Sequence, residues 1–125
     1  PRPDLKAQCS ACHNGAHFTD WRFHNIGVDS DDPGRGAKVK SDAEQVEFRG
    51  AFKTPGLRNV ALTAPYMHDG SIGTLQQVVA FYDRGGDRSA NLSPLIAPLG
   101  LSAQDRWDLV AFLHALTHTL DVQRP

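Results

Sequence analysis

The chain has 125 residues, a formal net charge of −1 and 40% hydrophobic residues. This length predicts one domain, residues 1–125, with a modest hydrophobic core. A net charge close to zero gives no support to nucleic acid as a partner. No apolar run approaches the roughly 20 residues that a membrane-spanning helix requires. We therefore expect neither a nucleic-acid partner nor a membrane span.

The first predicted element is a short helix over residues 4–14, which contains Cys9-Ser10-Ala11-Cys12-His13. This is the C-x-x-C-H signature of covalent c-type haem attachment. Two thiols three residues apart, Cys9 and Cys12, can each add to a haem vinyl group, and His13 then becomes the proximal iron ligand. The chain has two cysteines and both lie in this motif, which argues against a zinc site built from two cysteine pairs. We therefore predict one covalent haem c.

The start of the chain is unusually close to this motif. Eight residues precede Cys9 and two of them are proline, whereas cytochrome c-like domains place a helix there. We expect a fold that lacks most of the usual N-terminal helix, in a chain that is a fragment or that receives this helix from another chain. Because c-type haem is attached outside the bacterial cytoplasm, we expect a periplasmic or otherwise exported protein.

A solvated loop and a helix follow in the sequence. Residues 28–49 are rich in Asp, Gly, Lys and Glu, which predicts a loop. The helix is predicted to begin after the N-cap Thr74 and to end at Gly85-Gly86. Its apolar face recurs with helical spacing and consists of Leu75, Val78, Val79 and Tyr82.

A second helix is predicted near the end of the chain. Ser102 is its N-cap, and Asp105 three residues later completes a capping box. Its apolar stripe consists of Leu109, Leu113, Leu116 and Leu120. Core packing is the expectation for Trp21 and Trp107. No segment shows an alternation long enough to build a sheet, so we predict an all-α, cytochrome c-like haem domain with long loops.

The second axial ligand of a c-type haem is commonly Met, His or Tyr. Met67 is the sole methionine, and Tyr82 lies on the apolar face of a predicted helix. Four further histidines are candidates by residue type: His24, His68, His114 and His118. The residue types alone leave these alternatives open.

Two continuous segments carry a family resemblance. They are Phe52-Lys53-Thr54-Pro55-Gly56-Leu57-Arg58-Asn59-Val60 and Thr63-Ala64-Pro65-Tyr66-Met67-His68-Asp69-Gly70. Both resemble the C-terminal haem domain of bacterial dihaem cytochrome c peroxidases and MauG-like enzymes. Supporting matches are Phe18-Thr19-Asp20, Phe23-His24-Asn25 with Gly27, and Leu109-Val110-Ala111-Phe112-Leu113. The resemblance covers nearly the whole chain.

This resemblance implies an assignment for the second ligand. In the peroxidases the ligand is a Met that lies fourteen residues after the His of a Pro-Tyr-x-His-Asp-Gly motif. In this chain that histidine is His68, and the position fourteen residues later is Tyr82. The MauG-like branch places a tyrosine there as the axial ligand. The resemblance therefore implies His13 and Tyr82 as the iron ligands, with His13 and Met67 as the alternative.

Further roles are implied by the same resemblance. Family members hold a calcium ion between two haems through backbone carbonyls equivalent to Thr63 and Pro65, and carbonyl oxygens suit this hard cation. The Asn that completes the site comes from the N-terminal domain, so this chain would supply half of it. Arg58 and His68 are expected on the propionate side of the haem or at the domain interface.

The resemblance also implies that hydrogen peroxide reacts in a different domain. The peroxide-reactive haem of the family lies in an N-terminal haem domain, whereas this chain has a single C-x-x-C-H motif. We expect no catalytic residue in this chain, and a partner domain or chain at which hydrogen peroxide reacts. An electron donor or a protein substrate is expected as a further partner. The alternative is a free-standing monohaem electron carrier with His13 and Met67 as ligands.

Overall fold

The computed structural model describes residues 8–118. The strands and α-helices of this part are β1 (Phe23–His24), α1 (Asp42–Glu47), β2 (Phe52–Lys53), α2 (Leu75–Asp83) and α3 (Ala103–Ala115). Short 3-10 turns lie at Cys9–Ala11, Arg35–Lys38 and Val60–Leu62. None of the helices in the described part combines the length and the apolar character needed to cross a membrane.

The prediction of an all-α fold is wrong, because the domain contains an antiparallel ribbon. β1 pairs with β2, with Phe23 opposite Lys53 and His24 opposite Phe52. A hydrogen bond from the Thr54 N–H to the Arg22 carbonyl (2.9 Å) lies beside the ribbon. Each strand has two residues, which is too short for polar and apolar residues to alternate visibly in the sequence. The fold is therefore a small mixed domain with long loops.

Local structure also departs from prediction in two other segments. The predicted loop over residues 28–49 contains α1, whose N-cap Ser41 accepts a hydrogen bond from the backbone N–H of Glu44. Of the helix predicted over residues 4–14, the described part begins at residue 8 and forms a 3-10 turn at Cys9–Ala11. The expected N-terminal helix would fall before residue 8, outside the described residues.

The predictions for α2 and α3 are confirmed. Thr74 and Ser102 are their N-caps, and each closes a capping box with the third residue of its helix. The two helices pack together through the buried side chains of Leu75, Val79 and Val110. Leu109 and Leu113 are partly buried against this cluster. Leu120, the last residue of the predicted stripe, lies outside the described residues.

Buried polar contacts hold the long loops together. Asn25 is buried directly after β1, and its Nδ2 lies 3.1 Å from the Arg49 carbonyl and 2.9 Å from the Ser89 hydroxyl. Its Oδ1 accepts a hydrogen bond from the Gly27 N–H at 2.9 Å. Asn91 donates to the same Arg49 carbonyl at 2.6 Å. These contacts connect three loops that no regular element joins.

Two glycines with similar backbones differ in how closely other parts of the chain approach them. Gly86 and Gly100 have nearly the same left-handed backbone, with φ of +67° and +66°. A Cβ at Gly86 would run into the carbonyl oxygen of Ile26, whereas a Cβ at Gly100 meets nothing within 4 Å. We expect Gly100→Ala to lower the free energy of unfolding by about 1–2 kcal/mol through backbone strain. We expect Gly86→Ala to lower it by about 1–3 kcal/mol more through the steric clash.

Denaturant unfolding of the haem-loaded chain measures both values. Equal losses for the two variants would contradict the close approach of Gly86 to Ile26.

Candidate functional site

A cavity of about 550 Å³ lies between the ribbon, α2 and the Cys9 turn. This volume is typical of cavities that enclose a small organic ligand or cofactor. Its walls come from the Cys9 turn, the ribbon, residues 54–68, α2 and the loop at residues 93–99. Most of the lining side chains are apolar, among them Ile26, Leu57, Leu75, Val78, Leu95, Ile96, Leu99 and Leu113.

The Cys9 turn brings two thiols and an imidazole to this cavity. Cys9, Cys12 and His13 all line it, and neither cysteine forms a disulfide. The turn is closed by hydrogen bonds from the N–H groups of Cys12 and His13 to the Cys9 carbonyl, at 3.2 and 2.8 Å. Both thiols therefore stand on one short rigid turn.

The imidazole of His13 is held by its other ring nitrogen. Nδ1 lies 2.9 Å from the carbonyl oxygen of Phe18. Because a carbonyl oxygen can only accept, Nδ1 carries the proton and Nε2 is the free acceptor. Phe18 has a left-handed backbone with φ of 53°. Such a backbone hydrogen bond to the second nitrogen is the usual way in which proteins orient a metal-ligating histidine.

A half-buried acid–base pair lies beside the Cys12 thiol. The Nε2 of His24 and an Asp20 carboxylate oxygen are 2.7 Å apart, and the two side chains are 16% and 10% exposed. Burial opposes ionisation of Asp20, but hydrogen bonds from His24, the Arg22 N–H and Thr54 outweigh it and lower the pKa of Asp20 to about 2. Asp20 is therefore a carboxylate at neutral pH.

The sulfur of Cys12 completes this group. Sγ of Cys12, an Asp20 carboxylate oxygen and a His24 ring nitrogen all lie within 4.8 Å of one another. Burial, and next the charge of Asp20, raise the pKa of Cys12 above its ordinary value. The sequence prediction considered His24 only as an iron ligand. Residues 20–24 form a loop and β1 and not a helix, so the spacing of four residues gave no signal that Asp20 and His24 pair.

The two candidate second ligands both line the cavity. Tyr82 lies on α2 with its ring half-buried at the cavity, while its neighbour Phe81 is buried and meets it edge-on at 5.5 Å. Burial, followed by the nearby Cys12 and Cys9, raises the pKa of Tyr82 to about 12. Met67 lies in the loop before α2 with a left-handed φ of 69°. The structure brings both residues to the same cavity as His13.

The remaining predicted residues divide into two groups. Thr63, Pro65 and His68 line the cavity, and the His68 ring stacks on Phe52 with centroids 3.6 Å apart. Arg58 is not among the lining residues. Its Nε donates to the Ala16 carbonyl at 2.9 Å, and its guanidinium lies 5.5 Å from the centre of the Phe18 ring.

The last two histidines considered as iron ligands lie outside the cavity. His114, near the end of α3, and His118 are exposed and are not among the residues that line the cavity. Core packing proves wrong for both tryptophans, because Trp21 and Trp107 are 60% and 64% exposed. Trp21 lies under the Lys53 ammonium, which is 4.2 Å from the centre of the indole ring.

These residues fit a covalent haem. The cavity is large and mainly apolar, two free thiols stand at the spacing of the attachment motif, and the Nδ1 of His13 is held by the Phe18 carbonyl, which leaves Nε2 for a metal. A haem would be attached through Cys9 and Cys12 and ligated by His13, with Tyr82 or Met67 available to the iron. The donor set suits haem better than zinc, because the described residues offer one three-membered group of ligands and Cys12 belongs to the attachment motif.

No protein-family model matches the chain. Curated relatives do match nearly all of it. The chain is 43% identical over 112 residues to the methylamine utilization protein MauG of Methylorubrum extorquens, which covers 89% of this chain and 31% of MauG. It is 36% identical over 122 residues to the cytochrome c551 peroxidase of Pseudomonas aeruginosa, which covers 90% of this chain and 31% of the peroxidase.

A solved structure supports the same relationship. The crystal structure of a MauG-like protein associated with microbial copper homeostasis superimposes with a TM-score of 0.81 and 33% identity, over 93% of this chain and 44% of that one. The chain therefore spans about a third of the length of these two curated relatives. Together these matches place the chain in the family of MauG proteins and bacterial cytochrome c peroxidases.

Proposed function

We propose that the chain is the C-terminal haem domain of a peroxide-dependent dihaem oxidoreductase, and that it transfers electrons and stores oxidising equivalents. The observation that carries this proposal is the presence of the C-x-x-C-H turn and Tyr82 in the lining of one apolar cavity. The match to about a third of much longer MauG proteins and peroxidases supports it. The oxidoreductase family is shared with these relatives, whereas the specific role is our proposal.

The chain's own residues define how the cofactor is held. Cys9 and Cys12 form the two thioethers, and the Phe18 carbonyl keeps the Nε2 of His13 free for the iron. When bound, the haem supplies one-electron redox chemistry at its iron. The apolar lining excludes water from the ring, which increases the effect of any charge placed nearby.

Tyr82 determines which oxidation state the site favours. Burial, followed by the nearby Cys12 and Cys9, raises its pKa to about 12 and so opposes the phenolate. A cationic metal reverses this preference and favours the phenolate. An anionic oxygen ligand stabilises ferric and higher states relative to ferrous iron, whereas the thioether of Met67 would do the opposite. We assign Tyr82 as the second ligand, and this role suits storage of oxidising equivalents.

The remaining partners follow from the family. Hydrogen peroxide reacts at the haem of an N-terminal domain or a separate chain, and an electron donor or protein substrate completes the reaction. Thr63 and Pro65 contribute carbonyl oxygens to a calcium ion shared with that partner. His68 lies on the propionate side. For Arg58 the domain interface is the proposed location, because it is not among the residues that line the cavity. Because haem c is attached outside the bacterial cytoplasm, we assign the protein to the periplasm or another exported location.

Replacing Tyr82 by phenylalanine tests the ligand assignment. Phenylalanine fills the same space but cannot ligate iron, so we expect the low-spin ferric spectrum to become high-spin and the midpoint potential to rise. Electronic absorption, electron paramagnetic resonance and a redox titration of the haem-loaded chain measure these changes.

Met67→Leu is the matched control for this variant. It removes the only other candidate that is not a histidine, and we expect its spectrum and potential to match the unmodified chain. A low-spin spectrum that survives in Tyr82→Phe and disappears in Met67→Leu would overturn the assignment and favour a free-standing electron carrier.

Peroxide reactivity tests whether the chain is one part of an enzyme. Because the peroxide-reactive haem is assigned to a partner, we expect the isolated haem-loaded chain to show no peroxidase turnover above the rate of free haem. Oxidation of an artificial electron donor by hydrogen peroxide measures this, with a full-length relative as the positive control. Turnover comparable to that of the relative would show that the chain is a complete peroxidase.

A further inference from the structure

Trp21 is exposed in a way that neither the core nor the haem cavity explains. Its side chain is 60% exposed and is not among the residues that line the cavity. Its backbone is left-handed, with φ of 62°. Such a backbone is unfavourable for a bulky residue, and it persists only where the surrounding structure holds it.

Buried threonines hold the backbone on both sides of this tryptophan. The Trp21 N–H donates to Oγ1 of Thr19 at 3.1 Å, and that hydroxyl donates to the Thr54 carbonyl at 2.7 Å. Thr19 and Thr54 are both buried. The Thr54 N–H in turn donates to the Arg22 carbonyl at 2.9 Å. The indole is therefore presented from a fixed backbone, which lowers the conformational entropy that binding a partner would cost.

The ribbon next to Trp21 has two different faces. His24 and Phe52 form one cross-strand pair, and both line the cavity. Phe23 and Lys53 form the other pair. Successive side chains of a strand point to opposite faces, so Phe23 and Lys53 belong to the outer face. This outer face lies one ribbon away from the cavity, and Lys53 also borders the cavity itself.

Two cations lie over aromatic rings on this outer face. The Lys53 ammonium is 4.2 Å from the centre of the Trp21 ring, and the Arg35 guanidinium is 4.9 Å from the centre of the Phe23 ring. Such contacts are attractive but leave the N–H donors of the cation available. We call Trp21, Phe23, Arg35 and Lys53 the ribbon surface.

Neither cation of the ribbon surface is neutralised within residues 8–118. Lys53 and Arg35 form no ion pair there. The carboxylate next to Trp21 in the sequence, Asp20, is paired with His24. The chain as a whole has a formal net charge of −1, so the positive charge of this surface is local.

We propose that the ribbon surface binds the electron donor of this haem domain through an acidic region of the donor's own surface. Carboxylates of the donor pair with Lys53 and Arg35, and Trp21 is the aromatic anchor, a residue type enriched at the centres of protein interfaces. The donor loses one electron and the ferric iron gains it, while no bond forms or breaks. This inference rests on the proposed electron-transfer function and adds the location and charge of the partner.

The position of the surface favours a redox protein over other acidic partners. A protein bound there is separated from the cavity by the ribbon alone, and electron transfer is faster over shorter distances. A net charge close to zero does not favour nucleic acid. The residues assigned to the partner haem domain, Arg58, Thr63 and Pro65, are not part of this surface.

The two tryptophans of the chain provide an internal control for binding. Trp21 and Trp107 are 60% and 64% exposed, but among the described residues a cation lies over Trp21 and over no other tryptophan. Each indole N–H gives one signal in a ¹H–¹⁵N spectrum of the haem-loaded chain, assigned with Trp21→Phe and Trp107→Phe. Oxidised flavodoxin, a small acidic redox protein, is the probe. We expect it to shift the Trp21 signal and not the Trp107 signal, and about 0.5 M salt to abolish the shift by screening.

Substitutions on the surface test the charges and the anchor separately. At low salt we expect Lys53→Gln and Arg35→Gln each to raise the Kd for oxidised flavodoxin about threefold or more, and Trp21→Ala to raise it about tenfold. Lys40→Gln, at an exposed lysine before α1, is the control for the charge. Trp107→Ala is the control for the tryptophan. Both controls are expected to bind like the unmodified chain.

Reduction of the haem links binding to electron transfer. We expect the rate of reduction by reduced flavodoxin, measured by stopped-flow absorption at low concentration, to fall in proportion to the loss of affinity. Reduced methyl viologen is a small cation that needs no contact with Lys53 or Arg35. Its rate is expected to be the same in all variants, which separates loss of docking from a change at the haem.

The outcomes distinguish this inference from the proposed function. Losses confined to the three surface variants support it. A Trp21 signal that does not move, binding that salt does not weaken, or equal losses in the two controls overturns it. A single-stranded oligonucleotide that shifts the Trp21 signal at lower concentration than flavodoxin overturns the choice of a protein partner. A chain without covalent haem, or with a haem that reduced methyl viologen cannot reduce, would overturn the proposed function, whereas the indole shifts would still report on the surface.

Discussion

The cavity is the constraint on which the rest of this domain depends. A 125-residue chain surrounds a cavity of about 550 Å³, and the buried apolar side chains of the described residues are few: Ala51, Leu75, Val79, Phe81 and Val110. Protein interiors are normally packed to the density of organic crystals. The walls must therefore be held from outside the cavity, by the Asn25 contacts and by the close approach of Gly86 to Ile26. In the proposed function, the haem in this cavity supplies the apolar packing that the few buried side chains do not.

Local signals explain which elements were predictable. Thr74 and Ser102 cap helices that carry their own start signals, so α2 and α3 could be predicted from the sequence. The ribbon has no such signal, since two-residue strands depend on contacts between residues about thirty positions apart. Exposure of Trp21 also escapes sequence reasoning, because the cation over its ring comes from Lys53 on the other strand.

The candidate site could likewise be predicted from the sequence only in part. The C-x-x-C-H motif and the spacing from His68 to Tyr82 are written in the sequence, and the structure brings His13 and Tyr82 to one cavity. The group around Cys12 could not be predicted as a unit, because it requires the chain to turn back between the Cys9 turn and β1. Arg58 illustrates the limit of residue type, since contacts with Ala16 and Phe18 hold its guanidinium.

Asp20 and Tyr82 end with opposite pKa shifts, although burial raises the pKa of both groups, because Asp20 has hydrogen-bond donors that outweigh burial. Asp20 stays ionised because three hydrogen bonds satisfy its charge, so it can orient His24 before any cofactor is present. Tyr82 carries no such compensating hydrogen bonds in its pKa shift, and burial raises its pKa to about 12, so the phenolate is favoured only against a metal cation. Asp20 is therefore a fixed anion paired with His24. In the proposed function, the positive charge of oxidised iron would stabilise the phenolate of Tyr82, and the apolar lining would strengthen that attraction.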